Sequence, residues 1–191
     1  MTKVIYLHGF ASSSNSTKAL ELNEYIKKNT SDTSLLIPDI ENNIENAVSQ
    51  IESLIKEFSP TALMGSSLGG FYGTYFAQKY KLKCVVINPA VIPPADMSIH
   101  LGENTNYSTG EKFSITQSQL GLLTKMGKAI TKIHSPGDFM VLLQSEDELL
   151  DYKAAVSFYK GALIDVTYGG NHSFEKFQDY LGRVKYFLNM H

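Results

Sequence analysis

The most informative stretch of the sequence is Thr61-Ala62-Leu63-Met64-Gly65-Ser66-Ser67-Leu68-Gly69. It begins as a short apolar run, passes through a Gly-x-Ser-x-Gly sequence and continues into the helical pattern of residues 68–80. A serine on a sharp turn from a buried strand into a helix has its hydroxyl exposed above the sheet. Ser67 has a glycine two residues before and after it, whereas Ser66 has Met64 two residues before it. The stretch predicts Ser67 as a nucleophile, and a turn needed only for packing is the alternative.

On both sides of this turn, short apolar runs alternate with longer segments of helical spacing. The runs are continuous in hydrophobicity, which is typical of strands buried on both faces of a parallel sheet. Strands are predicted at residues 4–7, 34–37, 61–64, 84–87, 139–143 and 163–167. Helices are predicted at residues 16–28, 44–58, 68–80, 151–159 and 174–188. This order predicts one α/β domain over residues 1–191, an α/β-hydrolase fold with a mostly parallel six-stranded sheet and helices on both faces.

Residues 90–136 break the alternation, and we predict no strand there. They contain Pro93-Pro94 and an apolar patch of helix-like spacing at Leu120, Leu122, Leu123 and Met126. A connection this long is usually functional or an insertion with helices of its own. We expect a cap-like insert whose apolar patch shapes an acyl pocket. A surface excursion around one structural helix is the alternative.

Composition excludes several classes of protein. The 191 residues are 43% hydrophobic and 19% charged, with a net charge of −2, which is typical of a globular domain rather than a disordered chain. Basic residues are scattered and form no stripe with aromatics, so we expect no nucleic-acid partner. The single cysteine, Cys84, allows no internal disulfide and lies in an apolar run. No segment has the length of a signal-peptide core or a membrane span, so a cytoplasmic protein is expected.

A serine hydroxyl needs a base to act as a nucleophile at neutral pH. The chain has five histidines, of which His191 is terminal and His100 and His134 lie in the irregular insert. His172 follows the last predicted strand, so its loop opens at the same edge of the sheet as the Ser67 turn. It also completes the chain order Ser, acid, His of the α/β-hydrolase fold. We therefore predict His172 as the base, and an ordinary surface histidine is the alternative.

The third member of such a site orients the histidine and stabilises its imidazolium. Asp147 follows the fifth predicted strand on the correct side of the sheet, so it is the preferred acid. Acidic loops are commonly just solvated, and Glu146, Glu148 and Asp96 remain open as alternatives.

The loop after the first strand should supply half of an oxyanion hole. Gly9 permits the backbone angles that turn an N–H toward the site. We assign the hole to the backbone N–H groups of Phe10 and Leu68, with His8 bracing the loop. A simple turn at the end of a strand is the alternative. The residues expected around a substrate pocket are His8, Gly9, Phe10, Phe71, Tyr72 and Tyr107.

Taken as a set, the motifs of this chain resemble those of the YqiA-type small bacterial esterases of the α/β-hydrolase superfamily. The segments that carry the resemblance are Tyr6-Leu7-His8-Gly9-Phe10, Ser12-Ser13, Gly65-Ser66-Ser67-Leu68-Gly69-Gly70, Asn88-Pro89-Ala90, Asp147-Glu148, Leu150-Asp151-Tyr152 and Gly169-Gly170-Asn171-His172. The resemblance runs through essentially the whole chain. It implies Ser67, Asp147 and His172 in the catalytic roles, and hydrolysis of carboxylic esters or acyl thioesters by a cytoplasmic bacterial protein.

The expected function is a serine esterase that works through an acyl-enzyme and takes a small-molecule acyl ester or thioester. An acyl-CoA thioesterase or a peptidase would use the same triad chemistry, and a non-catalytic binding module could keep the same fold. No cofactor is needed for this chemistry. The sequence also has no His/Cys/Asp cluster with the spacing of metal ligands, so no metal is expected. The pattern does not predict the oligomeric state.

Overall fold

Short apolar segments form the strands, because only fully buried sequences can stand in the middle of a parallel sheet. A computed structural model describes residues 1–91 and 95–191. Its strands are β1 (Thr2–Leu7), β2 (Thr33–Leu36), β3 (Ala62–Ser67), β4 (Lys83–Pro89), β5 (Gly102–Thr105), β6 (Lys112–Ile115), β7 (Phe139–Gln144) and β8 (Leu163–Thr167). Six of them form one sheet in the order β2-β1-β3-β4-β7-β8, and all neighbours are parallel. The predicted six-stranded α/β architecture is confirmed.

Four of the five predicted helices, those at residues 16–28, 44–58, 68–80 and 151–159, are present within one residue of the predicted bounds. The helices are α1 (Thr17–Asn29), α2 (Ile44–Phe58), α3 (Leu68–Tyr80), α4 (Gln117–Ala129), α5 (Tyr152–Phe158) and α6 (Leu181–Leu188), with 3₁₀ turns at Ala95–His100, Pro136–Asp138 and Phe177–Tyr180. Across residues 1–91 and 95–191, no helix combines the length and the hydrophobicity that crossing a membrane would need.

The closing helix begins later than predicted. Its pattern predicts a helix from residue 174, whereas α6 begins at Leu181. Phe174 and Lys176 have φ values of 60° and 57°, in the left-handed region, so a right-handed helix cannot run through them. Phe174 is nevertheless buried, because it packs in the same core as α6.

Alternate residues of the inner strands β1, β3, β4 and β7 enter two separate cores. In β1, Ile5 and Leu7 face one core while Val4 and Tyr6 face the other. The first core is covered by α2, α3, α4 and α5, and the second by α1 and α6. Cys84 is buried in the first core, where burial raises the pKa of its thiol, in agreement with a structural role. This two-sided cover leaves the carboxyl edge of the sheet open for a site.

The insert of residues 90–136 contains structure that the sequence pattern did not predict. β5 and β6 pair as an antiparallel hairpin, so the expectation of no strand there is wrong. Leu120, Leu123 and Met126 on α4 are buried in the same core as α2 and α3. This corrects the assignment of the apolar patch to an acyl pocket, since these side chains complete the domain core. Pro93-Pro94 lies outside the described residues, which resume at residue 95.

Candidate active site

Ser67 lies at the junction where β3 ends and α3 begins. Its backbone has φ 54° and ψ −124°, an uncommon conformation for a residue with a side chain. Backbone strain of this kind is typical of the sharp strand-to-helix turn that lifts a serine hydroxyl out of the sheet. The turn predicted from Gly65-Ser66-Ser67-Leu68-Gly69 is therefore present in the structure.

The two glycines of this turn are required by close contacts of the backbone. A Cβ on Gly65 would lie 2.2 Å from the carbonyl oxygen of Gly69. A Cβ on Gly69 would lie 2.1 Å from the carbonyl oxygen of Leu7 on β1. Both distances are far below van der Waals contact, so a side chain at either position would push α3 away from the sheet. Packing thus explains the spacing of the glycines around Ser67.

The structure brings Ser67, His172 and Asp147 together in a chain of hydrogen bonds. His172 Nε2 lies 3.0 Å from Ser67 Oγ. His172 Nδ1 lies 2.9 Å from Asp147 Oδ1 and 2.8 Å from Asp147 Oδ2. The side chains of His172 and Asp147 are 17% and 2% exposed, so the ring lies between the open cavity and a buried carboxylate. A carboxylate on Nδ1 keeps the proton there and leaves Nε2 as an acceptor facing Ser67.

The loop after β7 orients Asp147 and not its neighbours toward the ring. Asp147 Oδ1 accepts hydrogen bonds from the backbone N–H groups of Leu149 and Leu150, both at 2.9 Å. Glu148 is beside the site, but its Oε2 accepts from the backbone N–H of His172 at 2.9 Å, which lowers the pKa of the Glu148 carboxyl. Glu146 is exposed, and the side chain of Asp96 lies outside the described part of the structure.

The loop after β1 is braced by His8, as the sequence predicts. His8 Nδ1 donates to the carbonyl oxygen of Gly9 at 2.9 Å, and its Nε2 accepts from the backbone N–H of Ile40 at 2.9 Å. Burial lowers the pKa of His8, which favours this neutral ring. Both ring nitrogens are thus occupied by backbone groups. The further expectation that His8 lines the substrate pocket is corrected, because its ring faces the protein interior.

Phe10 and Leu68 border the space in front of Ser67. In the described part of the chain, neither of their backbone N–H groups donates to a protein acceptor. Leu68 is the first residue of α3, where N–H groups have no partner within the helix and the helix dipole favours negative charge. These two N–H groups are therefore available to a ligand oxygen.

A cavity of about 480 Å³ opens over Ser67 and His172. Gly9, Phe10 and Tyr107 line it, as predicted. Phe71 and Tyr72 do not, because both side chains are fully buried in the core beneath α3, and this expectation is corrected. The sequence of α3 has no clear polar and apolar faces, so it does not indicate whether an aromatic side chain on this helix points into the core or into a pocket. This explains why Phe71 and Tyr72 were wrongly assigned to the pocket.

The insert supplies much of the remaining wall. Its 3₁₀ turn contributes Met97, Ile99 and His100, and the turn of the hairpin contributes Tyr107. The hairpin is attached to the loop after β1, because the N–H of Tyr107 donates to the carbonyl oxygen of Ala11 at 2.8 Å. Among the described residues of the insert, those that line the cavity are thus Ala90, Met97, Ile99, His100 and Tyr107, and none of them is on α4.

Leu149, Leu150 and Lys18 are among the further wall residues that the sequence analysis did not predict. Leu149 and Leu150 lie two and three residues after Asp147, so their proximity to the acid was the available signal. Lys18 comes from α1, and its Nζ donates to the carbonyl oxygen of Ser173 at 2.7 Å, while burial lowers the pKa of its ammonium. Nothing in the local pattern of α1 distinguishes Lys18 from its other lysines.

A parallel sheet with this strand order and a serine at the β3–α3 turn defines the α/β-hydrolase fold. The mouse α/β hydrolase domain-containing protein 10 superposes with a TM-score of 0.73 at 16% identity, over 98% of this chain and 89% of that chain. A monoacylglycerol lipase from Paleococcus ferrophilus superposes with a TM-score of 0.71 at 15% identity, over 98% and 94%. At these identities the likeness concerns the fold.

The chain belongs to the uncharacterised protein family UPF0227, whose model matches residues 3–189. A UPF0227 protein of Pectobacterium carotovorum is 24% identical over 98% of this chain and 99% of its own length. The resemblance to YqiA-type proteins that the motifs suggested is confirmed at the level of this family.

Proposed function

We propose that this chain is a serine hydrolase that cleaves carboxylic esters through an acyl-enzyme intermediate. The observation that carries the proposal is the line of contacts Asp147–His172–Ser67, with 2.8 Å and 3.0 Å between the reacting atoms. Each distance is within hydrogen-bond reach, which a base and its nucleophile require. The cavity that opens at this point gives a substrate access to the Ser67 hydroxyl.

In the first half of the reaction, Ser67 Oγ attacks the acyl carbonyl carbon while His172 Nε2 takes the hydroxyl proton. Asp147 stabilises the resulting imidazolium through Nδ1. The carbonyl oxygen becomes an oxyanion that accepts hydrogen bonds from the N–H groups of Phe10 and Leu68. The bond to the leaving oxygen then breaks, and His172 returns the proton to the departing alcohol.

In the second half, a water molecule replaces the alcohol. His172 Nε2 takes a proton from the water as its oxygen attacks the acyl carbon, and the same two N–H groups hold the second oxyanion. The bond between Ser67 Oγ and the acyl carbon breaks, the proton returns to Oγ, and a carboxylic acid leaves. Only side chains, backbone N–H groups and water take part in this sequence.

The lining of the cavity favours a substrate that is recognised through its acyl group. Met97, Ile99, Leu149 and Leu150 line it with apolar surface. One protein of the same fold is a monoacylglycerol lipase, which is an ester hydrolase by name. An acyl thioester would fit the same walls and react by the same steps, so the two leaving groups are compared in the test.

The test combines active-site labelling with a substrate panel. A fluorophosphonate probe labels only an activated serine, so we expect covalent labelling of wild-type protein at Ser67 and none of Ser67→Ala. Ser66→Ala is the matched control and should be labelled. A panel of p-nitrophenyl esters, glyceryl esters and acyl-CoA thioesters then gives the preferred substrate. Absence of labelling and of turnover in the folded wild-type protein would contradict a hydrolase and leave a binding module on this fold.

A further inference from the structure

Two buried amide side chains lie beneath the loop that carries His172. Asn88 is in β4 and Gln144 is the last residue of β7, so both lie at the carboxyl edge of the sheet. They are 3% and 2% exposed. Burying an amide is costly unless its donors and acceptors are paired, so the partners of these amides show which part of the protein they stabilise.

The side chain of Gln144 forms hydrogen bonds with the main chain at both ends of the segment 171–175. Its Oε1 accepts from the backbone N–H of Asn171 at 3.1 Å and from that of Glu175 at 2.8 Å. Its Nε2 donates to the carbonyl oxygen of Glu175 at 2.9 Å. His172 lies between these bonded residues. The loop also packs directly on the amide, because a Cβ on Gly170 would lie 2.2 Å from Gln144 Cδ.

Asn88 bonds the peptide of His172 itself. Its Nδ2 donates to the carbonyl oxygens of Asn171 at 3.0 Å and His172 at 3.3 Å. Its Oδ1 accepts from the backbone N–H of Gln144 at 2.9 Å, which links the Asn88 side chain to the main chain of Gln144. The residue has a φ of 39°, in a region that asparagine tolerates better than most side chains do. Both the position of Asn88 and its amide side chain are thus suited to holding the loop that carries His172.

We infer that Asn88 and Gln144 are positioning residues that hold the main chain of His172 so that its imidazole reaches Ser67. The inference rests on the proposed function. Asp147 orients the ring, but the place of the ring over Ser67 depends on the backbone that carries it. A displacement of about 1 Å at a reacting group can cost on the order of 10²-fold in rate, so a loosened loop should lower turnover.

The test compares Gln144→Met with Gln119→Met. Methionine is similar in length to glutamine and lacks the amide donor and acceptor. Gln119 on α4 is 3% exposed, and its Oε1 accepts from the backbone N–H of Ile44 at 3.1 Å, so it is a buried glutamine with a backbone partner outside the His172 loop. Both variants should have a lower Tm. We expect kcat to fall about 10- to 100-fold for Gln144→Met alone, with KM close to that of the wild type.

A second readout does not require turnover. The hydrogen between His172 Nδ1 and Asp147 should give a downfield proton NMR signal in the wild type and in Gln119→Met. This signal should weaken or vanish in Gln144→Met. A wild type that shows the signal but hydrolyses no ester would contradict the proposed function and leave the positioning role in place.

A folded Gln144→Met with wild-type kcat and an unchanged signal would overturn the inference. If Gln144→Met does not fold, the same measurements of kcat and of the NMR signal are made on Gln144→Glu. Glutamate keeps an acceptor for the N–H groups of Asn171 and Glu175 and loses only the donor to the Glu175 carbonyl, so a smaller loss in kcat is expected. Wild-type kcat and signal in Gln144→Glu would then overturn the inference in the same way.

Discussion

Replacing Asp147 with asparagine should reverse the tautomer of His172 while leaving the fold intact. Asp147 Oδ1 accepts from the N–H groups of Leu149 and Leu150, so the amide oxygen of an asparagine must stay in that place. The NH₂ group then takes the place of Oδ2, 2.8 Å from His172 Nδ1, and donates to that nitrogen. The ring proton moves to Nε2, which faces Ser67 Oγ at 3.0 Å and can no longer accept the hydroxyl proton.

Because the base then has no lone pair directed at Ser67, we expect kcat to fall on the order of 10⁴-fold, the loss that a wrong imidazole tautomer causes in a serine protease. This corresponds to about 5 kcal/mol of lost transition-state stabilisation. The assay is turnover of a p-nitrophenyl ester, with folding checked by circular dichroism. Glu146→Gln is the control, because Glu146 is an exposed acid of the same loop and should leave kcat unchanged. Equal activity in folded Asp147→Asn and in the wild type would refute the assignment.

Three other outcomes are expected. Ser67→Ala should lower kcat on the order of 10⁴-fold or more, and Ser66→Ala far less; steady-state kinetics of both variants check this, and the reverse result would make Ser66 the nucleophile. Burial lowers the pKa of His8, so its contribution to stability is present above its ordinary value of 6.5 and is lost as the pH falls toward the lowered value. The Tm of the wild type, measured as a function of pH, should therefore decline in this acidic range. A decline just as steep in His8→Gln would refute the assignment of this pH dependence to His8. Leu123→Ala should lower the unfolding free energy by about 2–5 kcal/mol in urea titrations without changing the preference for acyl length, whereas Leu149→Ala on the cavity wall should change that preference in kcat/KM over an acyl series. If the preferred acyl length changed in Leu123→Ala and not in Leu149→Ala, the conclusion that α4 does not line the pocket would be wrong.

The sheet could be predicted from the sequence because each of its strands is an apolar run buried on both faces. Val4, Ile5, Tyr6 and Leu7 in β1 are all fully buried, which is why the run shows no polar alternation. Motif spacing located Ser67, and the position of loops at one edge of the sheet selected His172 and Asp147. The geometry brings these three side chains together, and their catalytic roles stay predictions that kinetics must test.

The insert could not be predicted in the same way, because its structure depends on distant contacts. The residues of β5, Gly-Glu-Asn-Thr, include no apolar side chain, and pairing with β6 defines it as a strand. The turn that follows β5 is held by the loop after β1, through the hydrogen bond from the N–H of Tyr107 to the carbonyl oxygen of Ala11. The periodicity of α4 correctly indicated a buried face, but periodicity carries no information about which surface covers it. That surface is formed by α2 and α3 and not by a substrate.

The strand order explains why the two amides are needed where they are. Ser67 ends β3 and His172 follows β8, and these strands are separated by β4 and β7 in the sheet. Neighbouring strands lie about 4.8 Å apart, so the two strands are roughly 14 Å apart. The 3.0 Å contact between Ser67 and His172 therefore requires the loop after β8 to extend back across the ends of β7 and β4. Its peptide groups pass over an otherwise apolar sheet, and the residues at those two strand ends, Gln144 and Asn88, pair with them.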